Sequence, residues 1–173
     1  FLRRTARLTT TPDSVLRPKR VRRSDRPYIF TLKELVAVFE AVRDEGTWDA
    51  LTAFTALHLI YACGLRSGEA VHLRVGDVDL VDKTLWIHRT KFGKSRHIPM
   101  GCRAAERMAA YLKAWQQRFG PPAPQSPFFV NQRGQRLAAV RLREHLLRVC
   151  LQVGVNPPGR PAPRLHDLRH CFA

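Results

Sequence analysis

Residues 48–63 narrow the possible folds more than any other stretch. Leu51, Phe54, Leu57, Leu59 and Ile60 place apolar side chains nearly all the way round a helix. A helix without a polar face has to be wrapped by other elements, so it is read as the centre of the fold. Gly64 ends it. Before it, Thr31 and Glu34 form a capping-box pair. Leu32, Leu35, Val36 and Phe39 then follow at helical spacing, which predicts a helix to about Arg43. After it, Ser67 is read as the cap of a short third helix from Gly68 to about Arg74, with Glu69 in its first turn.

The hydrophobic period then falls to two. Val78-Asp79-Leu80 and Leu85-Trp86-Ile87-His88 read as strands joined by a turn at Asp82-Lys83. Arg96-His97-Ile98-Pro99 reads as a third strand after a turn at Gly93. Helical spacing returns over 102–118, with Ala105, Met108, Leu112 and Trp115 on one face, and again over 137–151. Between these two helices lie a stiff loop, Pro121-Pro122-Ala123-Pro124, and a short extended piece, Phe128-Phe129-Val130. Gly154 to Pro163 is a loop, and a last helix starts at Arg164 and is cut off by the end of the chain. The fold class this predicts is α+β, mainly α: a helical domain with a small three-stranded antiparallel sheet.

The chain has 173 residues, of which 30 are Lys or Arg and 14 Asp or Glu, for a formal charge of +16. With 45% hydrophobic residues it buries a real core, which excludes a disordered polycation. The charge is uneven. Residues 1–27 hold nine bases and two acids, 28–90 six and nine, and 91–173 fifteen and three. Arg outnumbers Lys four to one, and the planar guanidinium fork suits phosphate. A basic face of this size points to a nucleic-acid backbone, without separating DNA from RNA. Residues 1–27, with Pro12, Pro18 and Pro27 among the bases, read as a basic linker or the end of a preceding domain. No apolar run reaches the roughly 18 residues of a membrane span, so no membrane partner is expected. Cys63, Cys102, Cys150 and Cys171 lie far apart with no C-x-x-C pair and read as small core residues, not disulfides or zinc ligands.

Among enzyme templates there is no P-loop, dinucleotide fingerprint, H-E-x-x-H or G-x-S-x-G. His166 and His170 stand four apart, but no third metal ligand accompanies them, and no metal is assigned. His58, His72, His88, His97 and His145 are scattered and read as structural or surface residues. What remains is a set of cations at element junctions: Arg66 in Tyr61-Ala-Cys-Gly-Leu-Arg-Ser-Gly-Glu69, Lys91 in Thr90-Lys-Phe-Gly-Lys-Ser-Arg96, and His166 with Arg169 in Leu165-His-Asp-Leu-Arg-His170. His166 and Arg169 share a helical face, and the start of that helix would suit an anion. Two Arg, a Lys and a His without a metal suit phosphoryl transfer: the Arg pair neutralises the non-bridging oxygens, while Lys and His move protons. Tyr61 reads as a core residue, its hydroxyl bonded locally.

In this order and spacing the three segments resemble the catalytic domain of the tyrosine recombinases, or phage-type integrases, over roughly residues 28–173. Lys-Phe-Gly-Lys-Ser-Arg96 and Arg164-Leu-His-Asp-Leu-Arg-His170 look most like transposon- and integron-associated bacterial members. The resemblance implies that Arg66 and Arg169 grip the scissile phosphate. It makes Lys91 the acid for the leaving 5′ oxygen, with Lys94 of the same loop as competitor. His166 becomes the general acid/base toward the nucleophile, with Glu69 and His170 in support. Lys94, Arg96 and Arg164 are assigned to DNA binding. The family works through a 3′-phosphotyrosyl intermediate with no cofactor, on double-stranded DNA, as a tetramer holding a four-way junction.

In the family the nucleophilic Tyr follows H-x-x-R, whereas Tyr28, Tyr61 and Tyr111 all precede it, so no nucleophile is assigned in this chain. The expectation is a catalytic-domain fragment over 28–173, C-terminally incomplete. It would come from a bacterial, cytoplasmic, nucleoid-associated recombinase of a mobile element active in DNA integration or transposition. Alone it would bind DNA without cutting it. Two alternatives stand beside it: an inactive DNA-binding remnant of a mobile element, and an unrelated basic RNA-binding protein such as a ribosomal component.

Overall fold

The structure is a computed structural model that describes residues 27–88, 95–155 and 162–172. The expected linker over 1–27 lies, Pro27 excepted, outside the described residues, as do Lys91, Lys94 and the expected turn at Gly93.

The apolar stretch forms α2 (Trp48–Cys63). Thr47 caps it, its hydroxyl accepting the Ala50 N–H, and Gly64 closes it in the left-handed region at φ 59°. The expectation of a central helix is met. Helix α2 touches α1 (Leu32–Asp44), α3 (Ser67–His72), α4 (Cys102–Phe119), α5 (Ala139–Gln152) and α6 (Leu165–His170). Leu57 and Ile60 are fully buried among them, each contributing roughly 1.5–3 kcal/mol of transfer free energy. The two buried threonines of α2 are satisfied. Thr55 bonds back to the Leu51 carbonyl, and Thr52 donates to the Val130 carbonyl beside the Tyr111 hydroxyl. Trp48 Nε1 donates to that same carbonyl, so the extended piece Phe128–Val130 is pinned to α2 and α4.

Helix α1 starts at the Thr31–Glu34 capping box as expected. Helix α3 differs from expectation. Its N-cap is Arg66, not Ser67, and the Glu69 carboxylate accepts the Arg66 N–H at 2.9 Å, a task a Ser67 hydroxyl does not perform. The helix also stops at His72, because a 3-10 turn (Val75–Asp77) takes over before the sheet.

The sheet has strand order β1-β2-β3, all antiparallel: β1 (Val78–Asp79), β2 (Thr84–Ile87) and β3 (Arg96–Pro99). Trp86 pairs with His97, and Ile87 with Arg96. Leu85 and Ile87 face the core, which leaves Trp86 on the other face. The tight turn before β2 is made by the Asp79 carboxylate, which accepts the Val81 and Asp82 N–H groups, with Lys83 at φ 51°.

Helix α4 buries Ala105, Met108 and Trp115 as expected, with Tyr111 rather than Leu112 fully buried on the inner face. Of the cysteines, Cys63 and Cys150 are buried, and burial pushes their thiols up to about 11 and about 12. Cys171 is half-buried, and Cys102 is exposed at the start of α4 with Sγ 3.4 Å from Lys83 Nζ, so the reading of all four as core residues fails for Cys102. Tyr61, read as core, is only half-buried, its ring 6.0 Å from Phe39 on the outer side of α2. Helix α6 closes in a turn at Cys171, whose N–H bonds back to the Leu168 carbonyl. No described helix is long and apolar enough to cross a membrane.

Candidate active site

Three short turns in this fold open on an arginine whose backbone N–H is accepted by an acid three residues later: Arg66 with Glu69, Arg74 with Asp77, and Arg164 with Asp167. In each, the acid satisfies one of the orphan donors at the helix start and keeps oxygens free for a second partner. These second partners build the site.

Glu69 is the hub. Its Oε1 accepts Arg66 Nη1 at 3.0 Å and Arg96 Nη1 at 3.1 Å, and its Oε2 accepts Arg96 Nη2 at 2.9 Å together with the Arg66 N–H. Burial by itself raises the Glu69 pKa. The bonds from Arg96 and Arg66 outweigh it and hold the carboxyl below its ordinary value. One carboxylate, its side chain only 9% exposed, thus fixes two guanidinium groups and leaves the trio net positive. Among the described residues only Nη1 of the Arg66 guanidinium is engaged, so the rest of the fork faces outward.

Arg66 and Glu69 line a cleft of about 700 Å³ with Arg74, His88, Arg136 and His166. The structure therefore brings Arg66, Glu69 and His166 to the lining of one cleft, although 100 residues separate the first and last. His166 reaches the cleft from α6, its ring edge-on to His170 at 4.6 Å. Withdrawal from water, then the neighbouring His170 and Arg169, lowers the His166 pKa, with Asp167 opposing. His166 is thus kept neutral near pH 7.

Arg169 is on the same helix, one turn on. It does not line the cleft, and its Nη1 is buried without a hydrogen-bond partner among the described residues. A buried guanidinium nitrogen left unpaired is costly, and an anion is its natural complement.

Arg96, assigned to DNA binding, is held bidentate on Glu69. Arg164, also assigned to DNA, lies against the fully buried Asp167 through Nε and Nη2. The start of α6, expected to suit an anion, already holds this internal carboxylate. Lys91 and Lys94 fall outside the described residues. Among the described residues no group of three or more metal-ligating side chains gathers.

Asp77, Trp86 and Arg136, which have no role assigned from the sequence, and His88, read there as a structural or surface residue, all line the cleft. The alternation of β2 was the available signal for Trp86, since Leu85 and Ile87 on the buried face put it on the open one. Arg136 carries no local signal, because its position depends on a bond from Nη1 to the Val71 carbonyl, 65 residues away.

A helical domain with a three-stranded sheet beside a cation-lined cleft sets the class of protein, and the comparisons with known proteins give that class its family. The phage integrase family model matches residues 29–173, and the chain belongs to that family, the tyrosine recombinases. A Sinorhizobium fredii protein described as an integrase/recombinase, y4rB, is 32% identical over 175 residues, covering 95% of this chain and 54% of its own length. The crystal structure of XerA recombinase superposes with a TM-score of 0.67 at 20% identity, over 84% of this chain and 49% of that one. A lambda integrase tetramer bound to a Holliday junction gives 0.63 at 21% identity, over 85% and 41%. The chain spans about half the length of the curated relatives it matches.

Proposed function

We propose that this chain is the phosphate-handling part of a site-specific DNA recombinase, a catalytic domain over 28–173. It binds double-stranded DNA and, with a tyrosine supplied from outside it, cuts and rejoins one strand at a time. The observation that carries this reading is that Arg66, Glu69 and His166 line one cleft, with Nη1 of Arg169, unpaired among the described residues, one helical turn from His166. Arg66 and Arg169 hold the non-bridging oxygens of the scissile phosphate, where charge builds in the transition state. The tyrosine oxygen bonds to phosphorus as the bond to the 5′ oxygen breaks. His166, neutral, takes the tyrosine proton, and Lys91 gives one to the departing 5′ oxygen, with Lys94 as the alternative donor. Glu69 supports by holding Arg66. Arg96 acts through Glu69, Arg164 lies at the start of α6, and His170 packs on His166. No cofactor enters these steps.

The lambda integrase tetramer on its Holliday junction supports self-association as a tetramer on DNA for the complete protein. A bacterial, cytoplasmic protein of a mobile element, acting in integration or transposition, suits the kinship with integrases.

The test is a covalent trapping assay on nicked duplex, using the chain extended by the C-terminal segment of its relatives. Arg169→Ala abolishes the trapped adduct while most DNA affinity remains, because a contact made mainly in the transition state costs rate more than binding. Undiminished trapping in that variant overturns the role. A natural chain that binds duplex DNA but traps none, even with the segment added, identifies a DNA-binding remnant. Preference for structured RNA over duplex DNA refutes both.

A further inference from the structure

Arg136 stands where two cavities meet. It is the residue common to the lining of the cleft and of a second groove, of about 940 Å³, beside the first turns of α5. Its backbone sits on a stiff mount. Val130 and Arg136 bridge as an antiparallel pair, and the Leu137 N–H donates to the Phe129 carbonyl. Within the turn between them, the Asn131 side-chain oxygen accepts the Arg133 and Gln135 N–H groups at 2.9 and 3.0 Å. Phe129 and Val130, at the base of this turn, are fully buried. The side chain is fixed as well, because Arg136 Nη1 donates to the Val71 carbonyl at 3.0 Å. Val71 lies in the last turn of α3, where carbonyls lack partners within the helix.

The nature of that acceptor decides what the guanidinium can do. A carbonyl is neutral, so it aims the fork without cancelling its charge. Arg96, Arg141 and Arg148 each lie against a carboxylate. Among the described residues Arg136 and Arg133 have no such partner. Arg133, Arg136, Arg141 and Arg148 face Asp49 and Glu144 in the second groove, which leaves its lining net positive. Of these acids, Glu144 is paired with Arg141, and Asp49 accepts the Gln132 N–H and Nε2–H.

Helix α3 sets the spacing. It opens at Arg66 and holds Arg136 through Val71 near its other end, and a helix of its length extends about 9 Å. A duplex strand carries one phosphate per roughly 3.4 Å of its axis. An arginine at each end of such a helix suits two different phosphates.

We propose that Arg136 grips a second phosphate of the DNA, distinct from the one held by Arg66 and Arg169, and that Arg133 takes a further one as the backbone leaves the cleft along the second groove. This deepens the recombinase reading and rests on it.

The test counts phosphates. The slope of log affinity against log salt is measured on duplex DNA with the chain of 173 residues, circular dichroism confirming that each variant is folded. Arg136→Ala and Arg136→Gln each reduce the slope by about one, and Arg136→Lys, which keeps the charge, restores it. A purely structural tie to Val71 would leave the slope unchanged in all three. Arg133→Ala also reduces it by about one. Arg43→Ala, which removes an exposed base of α1 lining neither cavity, leaves it as it was. Combining Arg66→Ala with Arg136→Ala tells one phosphate from two. Contacts to different phosphates lose about two in slope and their affinity losses add, whereas a shared phosphate loses no more than about one.

An unchanged slope in Arg136→Ala and Arg136→Gln, or a loss no larger than that of Arg43→Ala, overturns the contact. A double variant that loses no more than about one places Arg136 on the scissile phosphate and overturns the second site. No loss in Arg133→Ala overturns the path along the second groove. In each of these cases the recombinase reading stands, provided that Arg66→Ala alone still lowers the slope. A slope near zero in the unaltered chain removes the DNA backbone as ligand, and both readings fall.

Discussion

Single residues in this chain are tuned by what surrounds them, and His58 shows the sign most plainly. It lies on α2 beside Phe39 and Phe54, and the guanidinium of Arg107 sits 4.6 Å over the Phe54 ring. Burial, then the charge of Arg107, lowers the His58 pKa from 6.5 to about 4. The unfolded chain takes up this proton as pH falls below about 6.5, while the folded chain refuses it until about 4. Stability linked to His58 is therefore complete above 6.5 and drains away as pH falls toward 4. His145 and His166 are lowered too and add to the same slope. Only the difference between wild type and a variant isolates His58. Urea midpoints at pH 7 and pH 4.5 should fall further for wild type than for His58→Gln; parallel falls refute the assignment.

At the scale of elements, the junction between α2 and α3 carries the most consequence, because it delivers Arg66 to the cleft. Gly64 turns the chain there with φ 59°. A side chain in that conformation costs roughly 1–2 kcal/mol. An added Cβ would also lie 2.7 Å from the Phe172 ring, but Phe172 is 55% exposed and can swing away. Gly64→Ala should thus lose about 1 kcal/mol or more by chemical denaturation, and about the same amount in a Phe172→Ala background. A much smaller loss in that background would make the ring contact, not the backbone, the source.

What the sequence disclosed follows the same division. Helices α1, α2 and α4 were legible because each depends on its own residues: a capping box, an apolar run, a 3.6 period. The α2 bounds of Trp48 and Cys63 are set by Thr47 and Gly64, both local signals. The cap of α3 was misread at Ser67 because Arg is not a residue type that caps with its side chain; here Glu69 does the capping from inside the helix. The three Arg-x-x-acid starts lay in plain view, at 66, 74 and 164, yet only structure shows where each acid's second oxygen goes. Glu69 reaches Arg96 across 27 residues and Asp77 reaches His88 across 11. Partnerships of that span are set by strand register and chain packing, which no short window contains.

For the molecule as a whole, the decisive quantity is where its charge of +16 is spent. Residues 28–90, which include α2 and the acids that organise the cleft, are net acidic, whereas 91–173 hold fifteen bases against three acids. Part of that basic excess is engaged internally: Arg96 on Glu69, Arg148 on Glu45, Arg141 on Glu144. Under the proposed function, what remains on the cleft lining is what a phosphate backbone would meet. Each phosphate neutralised releases counterions and adds about −0.9 to the slope of log affinity against log salt. About six such contacts on duplex DNA would give a slope near −5. Arg74 is an exposed member of the cleft wall, and Arg43 an exposed base on α1 paired with Asp44, lining a separate groove. Arg74→Ala should reduce the slope by about one, and Arg43→Ala should leave it unchanged, in a filter-binding titration from low to physiological salt. Equal effects from the two variants would mean that the positive charge attracts DNA as a diffuse field, with no face of the molecule set aside for it. A slope near zero in the unaltered chain would remove the phosphate backbone as the ligand of the cleft.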